Sequence, residues 1–278
     1  MRTASIASVI IACLILCKPV ACIAQTDSAC HDNGIIMEQE NTLMPVQDIA
    51  LENPLKKIHS PYKFNPLQLI VPSTLIEVGI IGIKSDWLQY QNHEIRDELQ
   101  ENIDKHFTVD NYTQYVPALA TYGLKMCGVK NKHGYGDLTI ITGTAYAIMF
   151  LTVNSLKYTT RVRRPDESTR NSFPSGHTAT AFVGAELLRR EYWDVSPLIG
   201  VAGYAVATGT GFLRMYNNRH WFTDVLAGAG IGILSVQAAY WLYPVISKAF
   251  FRHRYLSNVY ISPYLSEDSK GLSCTIKF

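Results

Sequence analysis

Three long uncharged runs constrain the fold of this chain more than any other feature. They cover Leu138–Leu156, Val195–Leu213 and Val225–Ser247, which are 19, 19 and 23 residues long. About 20 apolar residues suffice for a helix to cross a membrane. The runs are also rich in Gly, Ala, Thr and Ser, which tightly packed helices use at their contacts. We therefore expect helices that are embedded in or docked on a membrane, with a compact soluble bundle as the alternative.

Shorter segments complete the helical pattern. Leu67–Ile83, Asn111–Val129 and residues 178–190 are helix candidates, and Asp86–Lys105 carries apolar residues at helical spacing among charges. The chain therefore predicts an all-α fold, a bundle of about six core helices. Near the C-terminus, two short runs separated by a polar turn could pair as a β-hairpin.

The first residues are typical of an export signal. Arg2 precedes the apolar run Ile6–Leu16, and small residues at Ala21–Ala24 offer a cleavage site. The apolar run is short for a membrane span, so we expect cleavage, with a lipoprotein at Cys22 as the alternative. The expected organisation is a signal peptide (1–24), a flexible exported lead-in (25–64), a helical domain that carries the function (65–250) and a tail (251–278) that includes the possible hairpin.

Composition and cysteine content exclude some functions. The 278 residues are 47% hydrophobic and 17% charged, with a formal net charge of +2. No basic tract extends beyond residues 161–164, which argues against a nucleic-acid partner. Cleavage after Ala24 would leave three cysteines without metal-ligand spacing. They could form one disulfide, Cys30–Cys127 or Cys127–Cys274, or remain free thiols.

The first cluster of charged residues follows the first long run. Lys157, Arg161 and Arg164 are spaced i, i+4 and i+7, so a continuing helix would carry all three on one face near its C-terminal end. Such cations can simply complement the helix dipole. Arginine can also form a two-pronged contact with phosphate oxygens, and lysine acts as a point charge. Pro165 ends the predicted helix.

The second cluster is the tetrad Pro174-Ser175-Gly176-His177, which lies between a polar loop and an apolar helix. Serine is a favourable N-cap, and glycine lets a ligand approach the backbone closely. The N–H groups of Ser175, Gly176 and His177 would then face a bound anion at the helix N-terminus. A capped helix with a surface histidine would explain Ser175 but not the Gly-His pair.

The third cluster contains a histidine and an aspartate four residues apart. His220 and Asp224 would share one helix face, and the carboxylate could orient the imidazole as in activated nucleophiles. A surface His–Asp pair is the ordinary alternative. Trp221 and the apolar run from Val225 disfavour a solvent-exposed face. Arg214 lies six residues before His220, and a turn between them could bring it to the same anion.

Together the clusters are similar to the three signature motifs of the type 2 phosphatidic acid phosphatase (PAP2) superfamily, and within it to bacterial exported or membrane lipid phosphatases of the lipid A phosphatase type. Leu213 stands where many members have serine before the third-motif arginine. The resemblance implies a helical bundle, like acid phosphatases and vanadium haloperoxidases, with its site at one end of the core helices. The matching motifs are Lys157-x6-Arg164-Pro165, Pro174-Ser175-Gly176-His177 and Arg214-x5-His220-x3-Asp224.

The resemblance also implies roles for the site residues. His220 would attack phosphorus and form a phosphohistidine, Asp224 would orient it, and His177 would protonate the leaving oxygen and then activate water. No metal or cofactor is expected, because three cations already neutralise the phosphate. The implied phosphate-binding residues are Lys157, Arg164, Ser175, Gly176 and Arg214.

The expected function is a metal-independent phosphatase acting on a mono- or pyrophosphate ester of an envelope lipid, with lipid A phosphate first. The expected partners are that lipid and the membrane, and the expected location is the inner membrane with the site facing the periplasm, or the periplasm itself. The alternatives are an undecaprenyl pyrophosphate phosphatase, a soluble periplasmic acid phosphatase, a vanadium haloperoxidase and a catalytically silent membrane protein.

Other basic residues receive no catalytic role. We expect Arg161, Arg163, Arg189 and Arg190 to face water or lipid headgroups. No partner pattern surrounds His106, His133 or His253.

Overall fold

The computed structural model describes residues 65–101, 108–251, 259–265 and 270–276 of the chain. The predicted signal peptide and lead-in lie outside these residues. The described part contains eight helices and two strands. They are α1 (Leu67–Ile81), α2 (Asp86–Gln100), α3 (Asp110–Thr113), α4 (Val116–Met126), α5 (Tyr135–Thr160), α6 (Gly176–Tyr192), α7 (Pro197–Tyr216), α8 (Phe222–Phe251), β1 (Val259–Leu265) and β2 (Lys270–Ile276).

The mostly helical fold is confirmed, with more helices than the sequence predicted. The predicted helix over Asn111–Val129 is divided into the single turn α3 and the helix α4. Pro117 lies in the first turn of α4, where a missing N–H breaks no intrahelical hydrogen bond. Strands β1 and β2 pair antiparallel, but the hairpin stays a prediction because residues 266–269, which would form its turn, lie outside the described residues.

Helix α6 forms the centre of the bundle. Thirteen of its seventeen residues are buried, which is far more than one face of a helix. Its Ala179, Val183 and Leu187 share a core cluster with Ile141 of α5 and Val236 of α8. Because its neighbours surround it, both ends of α6 lie close to the ends of other helices.

Two glycines let α8 pack against the backbone of α6. A Cβ at Gly228 would lie 2.5 Å from the carbonyl oxygen of Ser175, and one at Gly232 would lie 2.6 Å from that of Ala179. Both distances are shorter than real side chains tolerate, so only glycine fits. This close approach brings the start of α8 beside the start of α6, where the second and third sequence clusters meet.

The three predicted apolar runs form helices that are long and apolar enough to cross a membrane. They are Tyr135–Thr160, Pro197–Tyr216 and Phe222–Lys248, and α1 with α2 could form a fourth span that bends by 93°. Large apolar side chains on α5 and α7 are exposed, among them Phe150, Leu151 and Leu198. An apolar outer surface of this kind suits contact with lipid.

Near the C-terminal end of α6, the structure differs from the prediction for two basic residues, Arg189 and Arg190. Arg190 is only 5% exposed, and its Nε donates to Glu186 Oε1 at 2.6 Å. Arg189 donates to the same buried carboxylate through two hydrogen bonds of 2.7 Å. Arg190 therefore does not face water or lipid headgroups as predicted, because a buried carboxylate requires positive partners. Arg189 pairs with the same carboxylate but keeps 32% of its side chain exposed.

His133 also has a partner that its sequence surroundings did not reveal. Its Nδ1 lies 2.7 Å from Oε1 of the fully buried Glu191. That carboxylate also accepts a hydrogen bond from the Tyr240 hydroxyl. Among the described residues, Cys127 is an exposed free thiol, as the alternative to a disulfide predicted. Both disulfide pairings stay predictions, because Cys30 and the side chain of Cys274 lie outside what the structure describes.

Candidate active site

The start of α6 meets the start of α8 through a backbone contact. A cis Phe173–Pro174 bond precedes Ser175, the N-cap residue of α6. The N–H of Ser175 donates to the carbonyl oxygen of Asp224 at 3.0 Å. The prediction that this N–H faces an anion is therefore wrong, because it is used to join the two helices. The N–H groups of Gly176 and His177 have no acceptor within the helix, as is usual for a first turn.

His220 is buried beside Asp224, but the two do not share a helix face as predicted. Helix α8 begins at Phe222, so His220 lies in the preceding loop while Asp224 lies in the first helical turn. His220 Nδ1 and Asp224 Oδ2 are 3.6 Å apart, which is too far for a direct hydrogen bond. Within the described part of the chain, His220 Nδ1 is buried without a hydrogen-bond partner.

Two other groups hold the Asp224 carboxylate in place. The Ser172 hydroxyl and the Trp221 N–H both donate to its Oδ2, the second at 2.9 Å. Ser172 is fully buried, and the sequence analysis missed it because a serine in a polar loop carries no distinctive signal. The carboxylate is therefore fixed independently of His220.

Arg214 lies at the C-terminal end of α7 and is 7% exposed. Its Nη1 donates to Oδ2 of Asp110, a carboxylate on α3 that is 1% exposed. Its Nε is buried and has no hydrogen-bond partner among the residues that the structure describes. Arg214 is thus held by one carboxylate while part of its guanidinium remains available to an anion.

The first cluster is arranged differently from the prediction. Helix α5 ends at Thr160, and Arg161 closes it in the left-handed conformation with φ of 49°. The chain then folds back, since Ser172 N–H donates to Val162 O at 3.0 Å. Arg161 is therefore exposed, and Arg164 reaches the site from this returning loop rather than from a helix face.

Lys157 and Arg164 are both half-buried at the site. Lys157 Nζ donates to Asn171 O at 2.6 Å. Arg164 Nε is buried and, in the described residues, has no hydrogen-bond partner. Burial lowers the pKa of Arg164, and the positive charge of Arg214 lowers it further. A negatively charged ligand would relieve this repulsion between like charges.

The two histidines lie within reach of these cations. Burial, followed by the charge of Arg214, lowers the pKa of His177 to about 4 against the opposing charge of Asp110. Burial also lowers the pKa of His220 to about 4. Asp224 opposes the change in His220, whereas Lys157 and Arg214 contribute to it. Both imidazoles are therefore neutral at neutral pH and surrounded by excess positive charge.

The structure thus brings together Lys157, Arg164, Arg214, His177 and His220, which are far apart in the sequence. It also adds α3 residues that the sequence analysis missed, Asp110 and Asn111. His177 Nε2 lies 2.9 Å from Asn111 Oδ1. The described residues contain no group of three or more His, Cys, Asp and Glu side chains suited to a metal ion. The chemistry that this arrangement supports best is anion binding next to two neutral imidazoles.

The fold and the site together define a class of protein: helical bundles that bind an anion beside two histidines at one end of the bundle. Residues 138–248 match the family described as "PAP2 superfamily". The match includes every residue of the three sequence clusters. The resemblance to this superfamily that was stated from the motifs is therefore confirmed over this part of the chain.

Individual relatives are similar to parts of this chain. A "Lipid A 1-phosphatase" of Porphyromonas gingivalis is 43% identical over 144 residues, which are 51% of this chain and 32% of that protein. The chain thus spans about a third of the length of this curated relative.

Two crystal structures are similar at lower identity. One is Aquifex aeolicus LpxE, with 21% identity and a TM-score of 0.41, covering 54% of this chain and 93% of that one. The other is a transmembrane PAP2 type phosphatidylglycerolphosphate phosphatase from Bacillus subtilis, with 20% identity and a TM-score of 0.44. The second covers 64% of this chain and 96% of its own.

Proposed function

We propose that this protein is a metal-independent phosphatase that removes a phosphate group from an envelope lipid, with lipid A phosphate as the first candidate. The single observation that carries the proposal is the group of three cations around two neutral histidines, of which His220 is buried and His177 is half-buried. The name of the Porphyromonas gingivalis relative supports lipid A phosphate as the substrate.

The cations would bind the phosphate oxygens. Lys157, Arg164 and Arg214 supply positive charge, and the guanidinium Nε atoms of both arginines are buried without partners among the described residues. The first-turn N–H groups of Gly176 and His177 add donors at the N-terminus of α6. Such preorganised donors stabilise the charge that develops on a transferring phosphoryl group.

His220 would act as the nucleophile. Its pKa of about 4 keeps the imidazole neutral at neutral pH, so its nitrogen lone pair is available. The negative charge of the bound phosphate would raise the pKa of His177, so that this imidazole is protonated in the complex. Attack then forms a bond to phosphorus and breaks the bond to the lipid oxygen, which takes the proton from His177. The imidazolium that forms would be stabilised by the Asp224 carboxylate, and the 3.6 Å separation would shorten in the complex.

Water would complete the reaction. His177, now neutral, would accept a proton from a water molecule that attacks the phosphohistidine. The bond between phosphorus and His220 breaks, and inorganic phosphate leaves with the water oxygen. His177 is then protonated again for the next cycle.

The position of the site along the long helices supports a lipid substrate. Lys157, Arg214 and Asp224 each lie within three residues of an end of a candidate membrane span. A phosphate attached to a lipid headgroup lies at the same depth, at the interface between lipid and water. We propose that this interface is the periplasmic one, because the first residues are typical of an export signal.

The decisive experiment measures phosphate release from lipid A, undecaprenyl pyrophosphate, phosphatidic acid and p-nitrophenyl phosphate in the presence of a chelator. We expect release from lipid A well above the small ester, and its loss in His220→Ala. In His177→Gln with p-nitrophenyl phosphate, whose leaving group needs no proton, a phosphohistidine on residue 220 should accumulate, because His177 is then missing only as the base for water. Mass spectrometry at alkaline pH would detect it.

A matched control is His133→Ala, which removes a largely buried histidine that contacts Glu191 near the C-terminal end of α6, away from the site. Its folded fraction should retain activity. Release from the small ester alone would favour a soluble acid phosphatase, and bromide oxidation dependent on vanadate would favour a haloperoxidase. Either outcome would overturn the proposed function, as would activity that survives His220→Ala.

A further inference from the structure

The single turn α3 contributes two side chains to the site from outside the three motifs. Asp110 forms a buried ion pair with Arg214, and Asn111 Oδ1 lies 2.9 Å from His177 Nε2. These are neighbouring residues that contact the two functional groups on α6 and α7. The turn α3 therefore contacts both Arg214 and His177.

Several contacts fix α3 relative to the helices that carry these groups. The hydroxyl of Thr210, one turn before Arg214 on α7, donates to the Thr113 hydroxyl at 2.9 Å. The buried Gln114 side chain donates to the carbonyl oxygen of Asn111 at 2.8 Å. These bonds hold the Asn111 backbone in place, and from this fixed backbone its exposed side chain contacts His177.

Helix α4, which follows α3, is packed tightly on α6. A Cβ at Gly184 would lie 2.6 Å from the backbone nitrogen of Ala118. Further along, the hydroxyl of Tyr192 donates to the carbonyl oxygen of Thr121 at 2.7 Å. The α3–α4 segment is thus anchored at several points, which suits a fixed support for the site better than a moving cover.

The atoms in the Asn111 contact decide which nitrogen of His177 carries hydrogen. An amide oxygen can only accept, so the Nε2 that faces it must donate. In neutral His177 the lone pair is then on Nδ1. A hydrogen bond from one ring nitrogen commonly sets the tautomer in this way.

We propose that Asn111 is a positioning residue that confines proton transfer by His177 to its Nδ1 atom. This inference rests on the proposed function, in which His177 is the acid and then the base. As imidazolium, His177 would give its Nδ1 proton to the leaving oxygen and keep Nε2–H on Asn111. The Nδ1 lone pair would then take the proton of the attacking water.

The groups that face His177 influence its protonation, so the effect of the Asn111 contact can be measured through the pKa of His177. Arg214, Asp110, His220 and Arg164 all act on its protonation. Asn111 is neutral, so it orients the ring without adding charge. An aspartate at the same position would keep an acceptor oxygen and add a negative charge, which stabilises the imidazolium.

The kinetic test compares Asn111→Ala with Asn111→Asp, using the substrate that the wild-type enzyme hydrolyses. We expect Asn111→Ala to lower kcat about 10-fold to 100-fold with KM changed less than about twofold, because a misplaced acid loses much of its contribution. Asn111→Asp should retain more activity, and the basic limb of its pH profile should move up by about one pH unit. Tyr112→Ala, on the same turn with its side chain exposed, is the matched control and should keep the wild-type profile.

Two kinetic outcomes would overturn the inference. If Asn111→Ala raises kcat/KM, Asn111 competes with substrate for His177 instead of positioning it. If both Asn111 variants keep the wild-type rate and pH profile, the contact has no role in proton transfer. The wild-type and His220→Ala activities are read first, so failure of the proposed function is recognised separately.

A second measurement does not depend on activity. Nitrogen NMR of histidine-labelled protein in detergent micelles reports the tautomer of His177, which is assigned by loss of its signals in His177→Gln. Above pH 7 we expect hydrogen on Nε2 in the wild type and a mixture of tautomers in Asn111→Ala. Hydrogen on Nδ1 in the wild type, or the same tautomer in both proteins, would contradict the inference.

Discussion

Charged groups are buried at both ends of α6, but the two ends differ in whether those groups have hydrogen-bond partners. At the C-terminal end, the Glu186 carboxylate accepts hydrogen bonds from Arg189, Arg190 and Tyr204. One turn further, Glu191 accepts hydrogen bonds from a second set of donors. These are the His133 ring and backbone, Asn131 and Tyr240. We call the residues around Glu186 and Glu191 the distal cluster.

At the N-terminal end of α6, cationic side chains lie close together, and some buried nitrogen atoms there have no hydrogen-bond partner among the described residues. Within the described residues, Arg164 Nε, Arg214 Nε and His220 Nδ1 are all buried and unpaired. Buried polar groups in folded proteins are nearly always satisfied. The difference teaches that the distal cluster is a structural network, whereas the unpaired Nε atoms of Arg164 and Arg214 are available to a ligand. His220 Nδ1 instead faces Asp224 Oδ2 across 3.6 Å. Stability and activity should therefore depend on opposite ends of the same helix.

The largest expected effect is on activity at the N-terminal end. Arg164→Ala should lower kcat/KM by about 10²–10³, because it removes one donor to the developing phosphate charge. The unfolding temperature in detergent should stay the same or rise slightly, since the substitution removes one of several like charges. A large loss of stability would contradict the comparison.

Arg161→Ala is the matched control for Arg164→Ala. The two arginines are three residues apart, but Arg161 is exposed and its Nε donates only to Tyr158 O at 3.4 Å among the contacts described for it. We expect kcat/KM within about twofold of wild type, as for most exposed cations. A loss as large as that of Arg164→Ala would instead support the helix face that the sequence predicted.

The next effect is on stability at the C-terminal end. Glu191→Ala should cost about 3 kcal/mol, because it removes the buried acceptor of His133 and Tyr240. Thermal unfolding in detergent measures this loss, and kcat/KM per folded molecule should change little. Unchanged stability with lost activity would reverse the roles of the two ends.

The pH dependence of stability gives a smaller effect at the site. His220 has its pKa lowered from about 6.5 to about 4 in the folded protein, so the unfolded chain binds more protons between these values. Its contribution to stability is present above pH 6.5 and is lost as the pH falls toward 4. Acidification from pH 7 to 5 should cost about 2 kcal/mol from this residue.

His220→Gln provides the control, since glutamine does not titrate. Its unfolding temperature should fall less than that of the wild type between pH 7 and 5. Equal pH dependence in the two proteins would mean that His220 is not a neutral, buried imidazole in the folded state.

The smallest effect is expected for an ion pair at the rim of the site. Arg219 Nη1 donates to Asp166 Oδ2 at 2.9 Å, but the Arg219 side chain is 48% exposed. Exposed pairs of this kind contribute less than about 1 kcal/mol. Arg219→Ala should therefore change stability by about 0.5 kcal/mol or less in thermal unfolding. A larger loss would extend the structural role of the distal cluster to the rim of the site.

Much of the fold and site could be predicted from short-range patterns. The uncharged runs are visible as consecutive residues, and they correspond to α5, α7 and α8. The three clusters were found because their members lie within ten residues of one another. Asp110 and Asn111 were missed because they belong to a single turn about a hundred residues from Arg214, and no local spacing connects them.

Local geometry was predicted less well wherever a helix boundary mattered. The sequence placed Arg161 and Arg164 on one helix face, yet α5 ends at Thr160. It also placed His220 and Asp224 on one face, yet α8 begins at Phe222. Helix ends depend on loop contacts such as that between Ser172 and Val162, and propensity alone does not determine them.

By itself, the sequence determined the helical class, the apolar character of the long helices and the residue types of the site. These properties follow from composition and from spacings of a few residues. Only the tertiary structure decided which buried charges are neutralised and which are left unpaired. That outcome depends on contacts between distant segments, such as Arg214 with Asp110 and His133 with Glu191, because electrostatic interactions follow distance in space rather than separation along the chain.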